Sequence, residues 1–216
     1  MNPDMREAMD HKLLSMADDE LILGHRDSGW TGHAPILEED IAFANIALDE
    51  IGHAKIWYTL LANLVGEDRD TYPDRLVFFR GSSDYRNVQL VELPNGDWAF
   101  SMLRQYLFDA AEMIRLEQLV HSEYPSLAEA AAKIRKEEIY HYRHTHAWTQ
   151  RLGLGTDESH RRLQDALNQI WPYTLQLFEP LPDEPLLVEA DFVPAPGQLR
   201  SAWLSLVGPC LEEAGL

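Results

Sequence analysis

Residues 48–55 read Leu-Asp-Glu-Ile-Gly-His-Ala-Lys (LDEIGHAK), and they place an acid pair and a histidine inside an otherwise apolar helical run. Around them Ile41, Phe43, Ala44, Ile46, Leu48, Ile51, Ile56, Trp57, Leu60, Leu61 and Leu64 recur near helical spacing, which predicts a helix from about Leu37 to Leu64. Gly66 is its stop signal. Glu50 and His53 stand three residues apart and project from one helix face. Glu138 and His141, in IRKEEIYHYRHTH (134–146), repeat the arrangement. Chance supplies about 0.8 Glu-x-x-His matches in a chain of this composition, so the strings alone mean little. Most isolated pairs of this kind are solvated helix contacts. What matters is where these two pairs sit.

Further helices are expected over about 4–27, 97–122 with Asp97 as N-cap, and 125–152, stopped by the glycines of RLGLGTDES. Two more are expected over about 157–178 and 198–213. The connection 66–96 reads as irregular, with VQLVEL (88–93) a short strand or extended segment before the turn signal Pro94-Asn95-Gly96. Five or six amphipathic helices make an all-α bundle of two hairpins, about 4–65 and 97–152, with additional C-terminal helices, over residues 1–216 as a single domain.

Counting back 30 residues from Glu50 reaches Glu20, and 29 back from Glu138 reaches Asp109. The helix breaks at Pro35 and at Tyr124-Pro125 fall near the middle of each interval. Both limbs of an antiparallel hairpin climb about 1.5 Å per residue, so residues equidistant from the turn share a level. Two packed hairpins would gather Glu20, Glu50, His53, Asp109, Glu138 and His141. Four carboxylates and two imidazoles are the ligand set of a di-iron or di-manganese centre. Buried without metal, four carboxylates would have to stay protonated or the bundle would loosen. Asp49 and Glu137 precede the two motifs symmetrically, and metal-bound histidines donate their second N–H to a carboxylate. Asp49 is therefore expected across on His141, and Glu137 across on His53. Glu112, one turn from Asp109, is the alternative third-helix ligand, and Tyr106 is a candidate pocket residue. His11, His25, His121, His144, His146 and His160 read as surface or packing residues, and His33 has no visible partner.

Thirty-six acids against eighteen bases give a formal charge of −18, which argues against nucleic acid or anionic membrane as a partner. The single cysteine, Cys210, forms no intrachain disulfide. The first residues are charged throughout, unlike a signal peptide, and no run reaches the roughly 18 uncharged apolar residues of a membrane span. A soluble cytoplasmic protein is the expectation. Dinucleotide, phosphate-loop, His-Glu-x-x-His, Cys-x-x-Cys and Gly-x-Ser-x-Gly templates find no match.

The stretches GHAPILEEDIAFANIALDEIGHA, NVQLVELPNGDWA, RQYLFDAAEM, KEEIYHYRHTHAWTQRLGLGTDES and LRSAWLSLV resemble the phenylacetic acid catabolic family, the ferritin-like subunits of multicomponent phenylacetyl-CoA epoxidase. That resemblance implies a ferritin-like four-helix bundle and membership of a hetero-oligomer, or a homo-oligomer, of related subunits. It implies two iron ions, or manganese, that activate dioxygen for epoxidation of an aryl-CoA thioester. A separate flavin and iron–sulfur reductase would supply electrons. ANIALD, NVQLVELPNGDWA and RLGLGTD are similar to the family's structural subunit, which has lost most ligands. Glu20, Glu50, His53, Asp109, Glu138 and His141 match the catalytic subunit's ligand positions. The alternatives are an iron-oxidising or storage protein and a non-catalytic structural subunit.

Overall fold

The computed structural model describes residues 1–216 as nine α-helices with no strand. Helix α1 (Pro3–Ser28) starts on Asn2, whose side chain accepts from the Met5 amide at 2.8 Å, with Pro3 in the first turn. Helix α2 (Leu37–Val65) has Glu38, Glu39 and Asp40 in its first turn, where the helix dipole favours negative charge. It ends at Gly66, whose φ of 80° is the left-handed conformation glycine adopts without penalty.

The connection holds two short helices, α3 (Tyr72–Phe78) and α4 (Gln89–Glu92). The segment 88–93, expected as a short strand or extended segment, thus holds a helical turn over Gln89–Glu92. Leu90 and Val91 are both buried, and burial of adjacent residues fits a turn rather than the two-residue period of a strand. Helix α5 (Trp98–Leu119) is capped by Asp97, which accepts from the Phe100 amide at 3.0 Å. Helix α6 (Pro125–Gly153), α7 (Asp157–Thr174, extended by a 3₁₀ turn to Phe178), α8 (Glu184–Glu189) and α9 (Pro196–Glu213) complete the chain. Helix α3 lies in the connection that reads as irregular in the sequence, and α8 lies between the helices expected over about 157–178 and 198–213.

Helices α1 and α2 form one hairpin and α5 and α6 the other, with α7 and α9 laid against α5 and α8 against α1. Apolar layers enclose the level of Glu20 and Glu50. On one side lie Leu13, Met16, Trp57, Leu61, Leu127 and Ile134. On the other lie Phe43, Ile46 and Met102, flanked by Trp30, Trp98 and Trp148. A third cluster joins α5 to α7 and α9 through Leu103, Leu107, Leu163, Ile170 and Trp203. Close approach of α1 to α2 depends on Gly24. A Cβ there would lie 2.9 Å from the Ala47 carbonyl oxygen and 2.9 Å from Glu50 Cβ.

Buried charges strap the connection to the bundle. Asp18 accepts from Arg80 at 2.6 and 3.0 Å, from the Arg86 amide at 2.8 Å and from the Tyr58 hydroxyl. Its neighbour Asp19 accepts from the Val88 amide at 2.7 Å. Arg104, fully buried, donates to Asp27 at 3.0 Å and to the Leu93 carbonyl at 2.8 Å. These three acids flank Glu20 in α1, so the same contacts that close the connection fix the rotation of the helix that presents Glu20. No helix is long and apolar enough to cross a membrane.

Candidate metal centre

Two triples of potential ligands meet in the bundle interior: Glu20, Glu50 and His53, and Glu50, Glu138 and His141. Within each, one ligand atom per residue lies within 4.8 Å of the others. Glu50 is common to both. Its Oε2 is 3.8 Å from His53 Nδ1, and its Oε1 is 3.3 Å from His141 Nδ1. A carboxylate with one oxygen toward each of two histidines has the disposition of a bridging ligand. Glu20 Oε2 lies 3.7 Å from His53 Nδ1, and Glu138 Oε2 lies 3.2 Å from His141 Nδ1. The imidazole centroids are 5.7 Å apart.

Each imidazole is held from behind. Glu137 Oε2 is 2.9 Å from His53 Nε2, and Asp49 Oδ2 is 3.3 Å from His141 Nε2. Both contacts cross between α2 and α6, in the pairing expected from sequence. With the rings neutral, a proton on Nε2 would leave the Nδ1 lone pair of each on the carboxylate side, the tautomer a metal ligand needs.

Asp109 is fully buried but belongs to neither triple. It accepts from Gln105 Nε2 at 2.8 Å and from Thr145 Oγ1 at 2.7 Å. The same Gln105 nitrogen donates to Glu50 Oε1 at 2.8 Å. Neither Gln105 nor Thr145 stands out in the sequence, although each is four residues from a candidate ligand, Asp109 and His141, on the same helix face. Glu112 pairs with Arg115 and belongs to neither triple. Tyr106 is fully buried. Its ring packs 5.9 Å from those of Tyr142 and His146, within the core that joins α5 to α9. One turn from Asp109 along α5, it faces this packing layer. Among the remaining histidines, His144 pairs with Glu39 at 2.9 Å and His11 with Asp183 at 2.7 Å.

The donor set fits a pair of divalent cations. Both oxygens of Glu20 and of Glu138, Glu50 Oε2, and Nδ1 of both histidines are buried with no hydrogen-bond partner. Such groups are costly to bury and are ordinarily satisfied. Burial, reinforced by the Glu50 charge, holds the Glu20 carboxyl well above the usual carboxylate range. Burial does the same for Asp109, with Glu138 and Glu50 adding to it, and raises Glu138 against the pull of His141. Glu50 goes the other way: burial works against its charge, but the proximity of Glu20, His141 and His53 outweighs burial and carries it well below that range. Burial opposes charge on His53, but the nearby carboxylates of Glu20 and Glu50 lift it to about 12. The cluster balances its charge with protons, and these are protons a divalent cation would displace.

A groove of about 730 Å³ opens between α2 and α6 over this centre. Asp49 and Glu137 line it, with Gly52, Lys55, Arg69 and Lys133. Their side chains are 41% and 50% exposed, whereas the histidines they touch are buried. The outer carboxylates are therefore the boundary between groove and centre.

The family model described as phenylacetic acid catabolic protein matches residues 1–216. The chain belongs to this family. It is 40% identical over 204 residues to the C subunit of 1,2-phenylacetyl-CoA epoxidase from Escherichia coli (strain K12), covering 94% of the chain and 81% of that protein. It is 26% identical over 178 residues to the A subunit of the same epoxidase, covering 82% of the chain and 56% of that second protein. Among solved structures, a protein from Synechococcus with aldehyde deformylating oxidase activity superposes with a TM-score of 0.71 at 15% identity. That match covers 100% of the chain and 93% of the Synechococcus protein, and it shows that the two share the ferritin-like fold. The two named relatives are subunits of one epoxidase, so the chain is related to an oxidoreductase complex of several subunits.

Proposed function

We propose that this chain is the metal-bearing subunit of an oxygenase of the phenylacetyl-CoA epoxidase type. Two iron ions, for which manganese is a chemically suitable substitute, would be held by Glu20, Glu50, His53, Asp109, Glu138 and His141. The observation that carries the reading is Glu50, whose two oxygens face two different buried histidines. When bound, the ions supply dioxygen activation, with electrons from a separate flavin and iron–sulfur reductase.

The chain's own residues do the positioning. Asp49 and Glu137 fix the two imidazoles, and the apolar layers on either side keep water from the centre. The α2–α6 groove is the approach for an aryl-CoA thioester. Lys55, Arg69 and Lys133 on its walls offer positive charge to phosphates, in a chain that is otherwise strongly acidic. A second, homologous ferritin-like protein completes the assembly. The outward row Leu37, Ile41, Leu48 and Ile51 on α2, 39–70% exposed, is apolar surface suited to that contact. A thioester substrate and a soluble reductase would suit a cytoplasmic protein.

Greater identity to the epoxidase's C subunit than to its A subunit favours a second reading, in which the chain supports a catalytic partner. Oxygen uptake decides between them. Reductase, the homologous partner and phenylacetyl-CoA are combined with this chain or with its Glu138→Ala variant. The proposal expects thioester-dependent uptake that the variant loses. Uptake unchanged by Glu138→Ala would assign the chemistry to the partner.

A further inference from the structure

The two triples are not equally ready for a cation. On the Glu20 side, both Glu20 oxygens, Glu50 Oε2 and His53 Nδ1 have no hydrogen-bond partner. A cation there breaks no hydrogen bond. On the Glu138 side, both Glu138 oxygens and His141 Nδ1 are equally free. Glu50 Oε1, however, accepts from Gln105 Nε2, and both Asp109 oxygens are taken, Oδ1 by Gln105 and Oδ2 by Thr145. Gln105 is fully buried and its own Oε1 has no partner, so its single amide nitrogen ties a carboxylate of α2 to one of α5. Recruiting Asp109 and Glu50 Oε1 to a cation means redirecting or giving up hydrogen bonds made in a buried site, which is costly.

We infer that metal binds in two unequal steps, first at Glu20–Glu50–His53 and then at Glu50–Glu138–His141 with Asp109, and that Gln105 is the positioning residue that separates them. The inference rests on the proposed metal centre and adds an order of filling and the residue that sets it. Gln105 touches candidate ligands and no reacting atom. Its effect is on the second step, because the Glu20 oxygens and His53 are outside its reach, while Glu50 meets the first position through the oxygen that Gln105 does not bind.

The test is a calorimetric and optical titration of chelator-treated protein with cobalt(II). The native chain should take up two ions with affinities at least about tenfold apart. Gln105→Leu, similar in volume but without a donor, should strengthen the weaker step about tenfold and leave the tighter one unchanged. Thr145→Val should act in the same direction through Asp109 Oδ2, and serves as the second variant if Gln105→Leu does not fold. Glu20→Gln should abolish the tighter step and spare the weaker. Two ions bound with one affinity, or a step ratio that neither Gln105→Leu nor Thr145→Val alters, would overturn the inference while leaving the metal centre standing. No cobalt bound by the folded native chain would remove the metal centre itself, and the inference with it.

Discussion

Two helical glycines give the same substitution opposite outcomes. A Cβ on Gly24 would sit 2.9 Å from the Ala47 carbonyl oxygen and from Glu50 Cβ, and 3.1 Å from Ile51 Cγ1. Two of these three atoms belong to backbone or to a Cβ and cannot rotate away. Restoring ordinary contact at about 3.5 Å needs roughly 0.5 Å of separation between α1 and α2. Overpacking of this size costs about 1–3 kcal/mol, against which alanine's better helix propensity returns about 1 kcal/mol. Gly24→Ala is therefore expected to destabilise the protein by up to about 2 kcal/mol, a fall in Tm of several degrees at this chain length. A Cβ on Gly52 would have nothing within 4 Å. Gly52→Ala keeps only the propensity gain and should raise stability by about 0.5–1 kcal/mol. Thermal unfolding of both variants, followed by circular dichroism, reads the difference. Because the Gly24 clash falls on Glu50, cobalt(II) affinity should drop in Gly24→Ala and hold in Gly52→Ala. A Gly24→Ala protein as stable as Gly52→Ala would refute the close helix approach on which the Glu50 position depends.

Other consequences are as direct. Glu137→Gln and Asp49→Asn remove the carboxylates behind His53 and His141, so metal affinity should fall about 10–100-fold by titration, with Tm nearly unchanged because both groups are about half exposed. Arg104→Met leaves Asp27 buried and unpaired, and chemical denaturation should show a loss of about 3–5 kcal/mol. Glu20, Asp109 and Glu138 hold their protons above the pH at which an unfolded chain releases them, near 4. The folded chain therefore binds more protons above that pH, and the stability of chelator-treated protein should decline as pH rises from about 5 to 8. Metal affinity should climb over the same interval, since fewer protons remain to be displaced. Melting curves and cobalt titrations at the two pH values check both signs.

Much of the centre was legible because helices convert spacing into position. The interval of 30 residues across Pro35 was enough to set Glu20 beside Glu50, and the symmetric Asp49 and Glu137 do cross to the opposite histidines. Interhelical hydrogen bonding was not legible. That Asp109 is taken up by Gln105 and Thr145 depends on rotamers chosen between α5 and α6, and equal spacing says nothing of rotamers. The short helices were equally hidden. VQLVEL carries strand-forming residues, but at Val88 its backbone is tied to Asp19 of α1, and Leu90 and Val91 turn into the core together. The surroundings of Tyr106 were hidden for a related reason: one helical turn from a ligand is close along the axis, yet its ring packs beside Tyr142 and His146 of α6.

The proposed function requires two metal ions held by the buried carboxylates and histidines through a shared Glu50. Iron analysis with Mössbauer spectroscopy tests this most directly, on protein expressed with added iron and on its Glu50→Ala variant. About two irons per chain with a coupled di-ferric signal are expected, and loss of both ions in the variant, because each triple includes Glu50. A folded native chain that holds no iron, or a variant that keeps both ions, would show that the site is not a shared two-metal centre.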